Sequence, residues 1–365
     1  MSEFFDVASS AGRYAVEIVS GSYRRFVGEG KKVVAICDER FAGDLQQAGV
    51  KSIPLRSDES AKNLASIPGV VTALRQAGVT RDTCLLAVGG GVVQDVAAFC
   101  AAIYMRGLEW VYVPTTLLGM ADSCIGGKSS INVGEYKNIV GTFNPPRRVL
   151  IDPDFVATLS AEQIGAGLIE AAKICFCRGS DAWRVYLACQ PSLGLSREGF
   201  TRVIATSLFA KKWFIEVDEF DRKERLLLNF GHTFGHALEG ASGFRVSHGI
   251  AVGIGMLCAL ALGRRMGSVY EGVPQVEELR SHVSGLLSAV AELPDALRGV
   301  AAVDLFDRFA ADKKHTAETY RVVAVANDGR AELVSLPKND NAQNQIVYAM
   351  NEILCALQAG SAVAA

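Results

Sequence analysis

Three of the chain's five histidines fall in a short window: His232 and His236 in LNFGHTFGHALE (228–239), and His248 in SHG (247–249). Neutral imidazole is the commonest protein ligand for a transition metal and the side chain best suited to move protons near pH 7. On a helix, His232 and His236 lie on one face, one turn apart. Two stacked imidazoles on an apolar, glycine-punctuated helix point to a buried metal or acid–base site; a pair of hydrogen-bonded core histidines is the plainer alternative. Glu170 stands in GAGLIEAAK (165–173), an apolar helical pattern in which an unpaired carboxylate is costly, so it either pairs with Lys173 or binds a metal.

Two glycine-rich segments have the makings of an anion site. CLLAV (84–88) reads as a strand running into Gly89, Gly90 and Gly91 and then a helix to about Tyr104. Glycines let a ligand approach the backbone, and free N–H groups at a helix N-terminus favour anions. The G-x-G-x-x-G fingerprint is absent, and a tight β–α turn needing positive φ explains the segment equally well. The run from Asp122 to Asn138 places Lys128, Lys137, Asn132 and Asn138 in one glycine-rich loop after Pro114-Thr115-Thr116, a set of donors suited to a phosphate or carboxylate. DKKH (312–315) by itself reads as a solvated turn.

The elements that must position these residues alternate over the first 150 residues. Strands are expected at 32–37, 52–55, 84–88, 110–114 and 149–152, with helical spacing over 59–77 and 92–104, a pattern that implies a mostly parallel sheet covered by helices. After Pro153 the patterns are helical except for 321–325 and 332–334, which are spaced to pair as a small hairpin. The boundary is therefore placed near Asp152–Pro153, giving an α/β domain over 1–152 and a mainly helical domain over 153–365, with a small-residue tail after Gln358. At 365 residues, two domains are the default.

Composition narrows the class. Half the residues are hydrophobic and the formal net charge is −2, which gives no reason to expect nucleic acid or an anionic membrane as partner. Nine scattered cysteines, with only Cys175-x-Cys177 close together, imply reduced buried thiols. The first residues lack the basic start and apolar block of a signal peptide, and the most apolar stretch, 249–262, is glycine-interrupted and too short to span a bilayer. A cytoplasmic protein is the expectation.

Taken together, GGGVVQD (89–95), YMRG (104–107), VPTTLL (113–118), DSCIGGK (122–128), KN (137–138), DPDFVATL (152–159), the Glu170 helix, LNFGHTFGHALE, SHG and DKK (312–314) resemble the dehydroquinate synthase family of sugar phosphate cyclases, in order and in spacing. The resemblance implies a Rossmann-like NAD-binding domain, a helical metal domain and an active site in the cleft between them. It implies Zn2+, replaceable by Co2+, on Glu170, His232 and His248, with His236 a second imidazole beside the substrate rather than a ligand. Implied NAD+ contacts are Asp38, Glu59, Lys62, Gly89, Gly90, Gly91, Asp95, Thr115, Thr116, Lys137, Phe155, Thr158 and Leu159. Implied substrate contacts are Asp122, Lys128, Asn138, Lys211, Arg225, Asn229 and a lysine of the Lys313–Lys314 pair, with Arg106 reaching the phosphate across a homodimer interface.

The reaction implied is oxidation of a substrate hydroxyl, elimination of phosphate, reduction and intramolecular aldol closure, with NAD recycled in place, as in the shikimate pathway of aromatic amino acid biosynthesis. Lys211 and Arg225 match the pair that holds a substrate carboxylate in 3-dehydroquinate synthases, and Asn229, His232 and His236 are all kept. The reading is therefore 3-dehydroquinate synthase acting on 3-deoxy-D-arabino-heptulosonate 7-phosphate. The alternatives are an amino-dehydroquinate or sedoheptulose 7-phosphate cyclase, a metal-dependent polyol dehydrogenase (which would not need Lys128, Lys211 and Arg225) and a non-catalytic NAD- or metal-binding protein. Departures from the family pattern are Gln94 and Lys223 for glycine, Ser129-Ser130 for Thr-Gly/Ala, and Ile250 for a glutamate that would support the metal site.

Overall fold

The computed structural model describes residues 3–27, 32–268 and 272–360. The C-terminal helix runs Asp340–Gln358, and most of the small-residue tail, 361–365, lies outside the described residues. The strands in chain order are β1 (Glu3–Ser9), β2 (Gly12–Ile18), β3 (Val33–Asp38), β4 (Lys51–Leu55), β5 (Cys84–Gly89), β6 (Trp110–Pro114), β7 (Lys128–Val133), β8 (Tyr136–Phe143), β9 (Arg148–Ile151), β10 (Thr319–Val325) and β11 (Ala331–Pro337).

Seven of them form one sheet in the order β1-β2-β9-β6-β5-β3-β4, parallel throughout except for the β1–β2 hairpin. Its central strands β5 and β6 are wholly buried, which is why they read as unbroken apolar runs rather than alternating ones. The expected α/β class and all five expected strands are present. The N-terminal hairpin was not anticipated, because FFDVAS and GRYAVEI mix charged with apolar residues. Expected helical spacing over 59–77 resolves into two short 3₁₀ turns and the helix Ile67–Gln76, since Pro68 starts a helix better than it continues one. The run expected as one loop from Asp122 to Asn138 is instead a π-helical turn, Gly119–Ser123, followed by the β7–β8 hairpin, which turns at Gly134 with φ +57°.

Contacts divide the chain into two compact units, but not by a single cut near Asp152–Pro153. One unit holds residues 1–159 and 196–219; the other holds 160–195 and 220–365. The segment 196–219 returns to the first unit because its helix, Arg197–Val217, is tied to the sheet and the π turn. Phe209 meets Phe5 with ring centroids 4.7 Å apart, Glu216 accepts from the Ala8 N–H at 2.9 Å, and Ser207 Oγ donates to the Ala121 carbonyl at 2.7 Å.

The second unit is built on helices Ala161–Arg178, His232–Ala241 and His248–Arg265, with β10 and β11 paired antiparallel as expected. The apolar run 249–262 is the wholly buried helix of this unit, and its glycines are contact points. A Cβ on Gly255 would stand 2.0 Å from the Gly231 carbonyl oxygen, one on Gly249 2.6 Å from that of Ala166, and one on Gly253 2.8 Å from Ile169 Cδ1. No helix among the described residues is long and apolar enough to cross a membrane. Every cysteine is free, and all but Cys355 are buried.

Candidate active-site groups in the two units

In the helical unit, Glu170 comes from the middle of Ala161–Arg178, a helix started by a Ser160–Gln163 capping box. His232 and His236 come from the first turns of His232–Ala241, which begins after Gly231 at φ +78°, and His248 is the first residue of the buried helix. The three imidazoles each offer a nitrogen within 4.8 Å of the others. Glu170 Oε1 lies 3.9 Å from His232 Nε2 and 3.7 Å from His248 Nε2, while Lys173 Nζ contacts Oε2. Of the two alternatives weighed for Glu170, the structure shows the pairing with Lys173, and the same carboxylate faces two imidazoles through its other oxygen.

The second nitrogen of each ring is also engaged. His248 Nδ1 is 3.3 Å from Glu239 Oε2, His232 Nδ1 is 3.4 Å from the Phe230 carbonyl, and His236 Nδ1 is 3.9 Å from Asp312 Oδ2. His232 and His248, held at Nδ1 with Nε2 turned to the shared Glu170 carboxylate, are arranged as metal-binding histidines are, so these three donors fit a divalent cation. Side-chain exposure rises from 1% at Glu170 through 15% at His232 to 37% at His248 and 40% at His236, so the cluster is closed at its carboxylate and open at its imidazoles.

The environments push the three rings apart. Burial, and then the Lys173 charge, hold His232 well below the usual histidine range. Burial also lowers His236, against the pull of the nearby Asp312 carboxylate. Burial works to lower His248, but the hydrogen bond and charge of Glu239, with Glu170, prevail and raise it. Asp312 is held far below the usual carboxylate range: burial opposes this, but His236 and Lys314 outweigh it. Lys314 Nζ bonds Asp312 Oδ2 at 2.6 Å and its backbone N–H bonds Oδ1 at 2.8 Å, whereas Lys313 is exposed; the DKKH turn is thus joined to the cluster through Asp312. Arg225 is buried and Asn229 donates to the Leu226 carbonyl at 3.0 Å, both on the 3₁₀ segment Glu224–Asn229. Ile250 is buried and packs near Gly165, and Glu239 is the carboxylate beside His248. Lys223 stands at the start of the 3₁₀ segment Glu224–Asn229, with φ −141° and ψ −105°.

In the sheet unit, β5 ends at Gly89 and the helix Gly91–Ile103 starts after Gly90 with no side-chain cap, leaving its first N–H groups without intrahelical partners. None of Gly89, Gly90 and Gly91 has positive φ, so the tight-turn explanation fails. Close packing explains two of them: a Cβ on Gly89 would meet Val93 at 2.6 Å and one on Gly90 would meet Thr116 at 3.1 Å, while a Cβ on Gly91 would enter open space. An uncapped helix start with an open, side-chain-free approach fits a pyrophosphate. Thr115 donates its N–H to the Gly89 carbonyl at 3.1 Å, and Thr116 Oγ1 accepts from Gly119 N at 3.2 Å.

Beside this loop stands a polar network. Lys62 Nζ is 2.9 Å from Asp95 Oδ2 and 3.7 Å from Glu59 Oε1; Lys137 Nζ is also 3.7 Å from Glu59, and Asn132 Nδ2 donates to it at 2.8 Å. Asn138, at φ +55°, donates its N–H to Asn132 Oδ1 at 2.9 Å. The Ser130 N–H binds Asp95 at 3.0 Å, and Ser129 Oγ meets Thr142 Oγ1 at 2.8 Å, so the Ser-Ser departure is absorbed by hydrogen bonds. Asp38, at the end of β3, is gripped by Arg40 through Nε at 3.0 Å and a second nitrogen at 2.6 Å; burial alone would raise its pKa, but these bonds bring it to about 2.

Further along the same unit, Phe155 packs between the rings of Tyr23 and Phe41, Thr158 Oγ1 caps the Phe155 carbonyl at 2.8 Å, and Leu159 ends the 3₁₀ segment Pro153–Thr158. Asp122 Oδ1 and Lys211 Nζ are 2.6 Å apart. Lys128 is exposed over the Phe143 ring, and Arg106 is exposed at φ +69° next to Met105 at φ +49°. Sequence reasoning missed Glu239, Asp312 and Arg40; the first two stood inside quoted motifs, and their proximity to histidines is visible only in three dimensions.

Known proteins bear on this arrangement. The 3-dehydroquinate synthase N-terminal family model matches residues 52–166 and its C-terminal counterpart residues 167–315. A 3-dehydroquinate synthase of Xylella fastidiosa (strain 9a5c) is 37% identical over 313 residues, 81% of this chain and 77% of its own length; that of Xanthomonas axonopodis pv. citri is 37% identical over 302 residues, 81% and 79% respectively. Among solved structures, a 2-deoxy-scyllo-inosose synthase complexed with carbaglucose-6-phosphate, NAD+ and Co2+ superposes with a TM-score of 0.82 at 21% identity, covering 96% of this chain and 100% of its own, and so shares the fold. A 2-epi-5-epi-valiolone synthase from Streptomyces hygroscopicus with NAD+ and Zn2+ bound superposes at 0.76 with 26% identity, covering 93% and 96%. With matched models over most of its length and relatives of this identity, the chain belongs to the 3-dehydroquinate synthase family.

Proposed function

We propose that the protein is a 3-dehydroquinate synthase, a carbon–oxygen lyase that converts 3-deoxy-D-arabino-heptulosonate 7-phosphate to 3-dehydroquinate and phosphate as a cytoplasmic homodimer in aromatic amino acid biosynthesis. The observation that carries this reading is the group formed by Glu170, His232 and His248, whose ring nitrogens face a shared buried carboxylate oxygen, in a chain more than a third identical to enzymes of that name. Bound NAD+ supplies a hydride acceptor that is regenerated within the cycle, and a bound Zn2+ or Co2+ polarises a substrate hydroxyl.

The chain's own residues then have separable tasks. Glu170, His232 and His248 hold the metal, with Glu239 fixing the His248 ring. Gly89, Gly90 and Gly91 and the helix behind them receive the pyrophosphate, and Asp38, Glu59, Lys62, Asp95, Lys137, Thr115, Thr116, Phe155, Thr158 and Leu159 hold the rest of the dinucleotide. Lys211 and Arg225 bind the substrate carboxylate, an anion for which a guanidinium fork is suited. Lys128, Asn138 and Asn229 bind the phosphate, joined by Arg106 from the partner subunit of the dimer. His236, kept neutral at pH 7 by burial and oriented by Asp312, takes and returns a hydroxyl proton, with Lys314 holding Asp312 ionised.

Incubation with the keto-acid phosphate, NAD+ and Zn2+ tests the reading: one 3-dehydroquinate should form per phosphate released, without net NADH. Accumulating NADH in step with substrate loss would instead indicate a polyol dehydrogenase.

A further inference from the structure

Gln94 occupies a buried position on the helix Gly91–Ile103, just beyond the glycine loop, and both ends of its amide are used on one distant residue. Its Nε2 donates to the Ser123 carbonyl at 2.7 Å, and Ser123 Oγ donates to its Oε1 at 2.6 Å. Ser123 is the last residue of the π-helical turn Gly119–Ser123, closed by the Cys124 N–H on the Gly119 carbonyl at 3.1 Å. A single π turn is a rare geometry, and the carbonyls at its end need donors from elsewhere.

Here three successive carbonyls receive one side-chain donor each. Ala121 takes Ser207 Oγ at 2.7 Å, Asp122 takes Lys211 Nζ at 2.7 Å, and Ser123 takes Gln94. Two donors come from the helix Arg197–Val217, and only Gln94 comes from the helix that begins at the glycine loop. The same turn presents the Asp122 carboxylate, whose Oδ1 meets Lys211 Nζ at 2.6 Å. Relaxation of the turn to ordinary α geometry would re-register Asp122 and pull Lys211 off two acceptors at once.

We infer that Gln94 is a positioning residue, which through its amide clasp on Ser123 fixes the π turn and thereby the Asp122–Lys211 pair. The inference rests on the proposed function in assigning that pair to the substrate. The glycine loop itself does not depend on the clasp, because the Gln94 side chain is spent on Ser123.

Gln94→Met keeps the volume and removes both hydrogen bonds. In the full-length protein with NAD+ and Zn2+, it should lower kcat/KM for phosphate release from the keto-acid substrate about tenfold, a loss of about 1.4 kcal/mol, while the Kd for NAD+ stays within about twofold. In an Asp122→Asn background the same change should lower kcat/KM by less than about twofold, because its target is already gone. Amide exchange over residues 115–127 should accelerate in Gln94→Met whether or not the protein turns over, and Gln94→Glu, which keeps the bond from Ser123 Oγ, should recover part of the protection. Unchanged exchange, an equal loss in the Asp122→Asn background, or a tenfold loss of NAD+ affinity would each overturn the inference. If the unmodified protein releases no phosphate, the proposed function fails separately, and the exchange measurement still decides the clasp.

Discussion

The two units hold their polar groups by opposite means. In the sheet unit, Lys62, Asp95, Glu59, Asn132 and Lys137 are cross-linked to one another from short turns, a hairpin and the helix Gly91–Ile103 by hydrogen bonds and ion pairs. In the helical unit, Glu170 and the histidines stand on helices brought together backbone to backbone by Gly231, Gly235, Gly249 and Gly255, with Gly253 against the Ile169 side chain. The difference teaches that the two sites resist change by different means: a hydrogen-bonded network can give by tenths of an ångström, while a close-packed backbone contact has nowhere to move. The sheet unit's hairpin also has such a contact at Gly141, whose Cβ would stand 2.0 Å from the Ser129 carbonyl oxygen.

Removing a donor from the helical unit should have the largest effect. His232→Ala is expected to abolish metal retention, measured by elemental analysis after dialysis, and to lower phosphate release by at least about a thousandfold, leaving NAD+ affinity intact; chelation should do the same to the unmodified protein, reversed by Zn2+ or Co2+. Next is the scaffold itself. Gly255→Ala forces a methyl to within 2.0 Å of the Gly231 carbonyl oxygen and should destabilise by about 3 kcal/mol or more in urea unfolding. Gly91→Ala, whose Cβ meets open space, should leave stability nearly unchanged and weaken NAD+ instead.

A pH titration probes the sheet unit. Asp38 has a folded pKa of about 2, lowered from an ordinary 3.8, so its contribution is present above pH 3.8 and is lost as pH falls through about 2. It amounts to at most about 2 kcal/mol. Arg40→Ala should flatten this part of the stability curve between pH 4 and pH 2, and an unaltered slope would show that Arg40 is not its source. The smallest effect is expected from Lys62→Met, which should weaken NAD+ binding about tenfold, about 1.4 kcal/mol, with metal content unchanged; equal losses of metal and NAD+ would blur the distinction between the units.

Much of this was readable from the residues. The parallel strands announced themselves as short β-branched runs, and the His232–His236–His248 window pointed to its chemistry before any fold was known. What could not be read is what depends on distant partners. The helix Arg197–Val217 joins the sheet unit through Phe209, Ser207 and Glu216, residues whose targets lie 86 to 208 positions away in sequence where hydrogen bonds define them. The β7–β8 hairpin looked like a loop because its strands carry charges and glycines, and its register is fixed partly by the Asn132 and Asp95 contacts. Glu239 lay in plain view within a quoted motif, yet its role depends on a nine-residue excursion that returns His248 to it.

The most direct test of the central claim is phosphate release from 3-deoxy-D-arabino-heptulosonate 7-phosphate measured beside sedoheptulose 7-phosphate, each with NAD+ and Zn2+. Release from the keto acid alone, lost in Arg225→Met with metal content preserved, is the predicted result. Release from sedoheptulose 7-phosphate alone, or an Arg225→Met protein as active as the original on the keto acid, would contradict it.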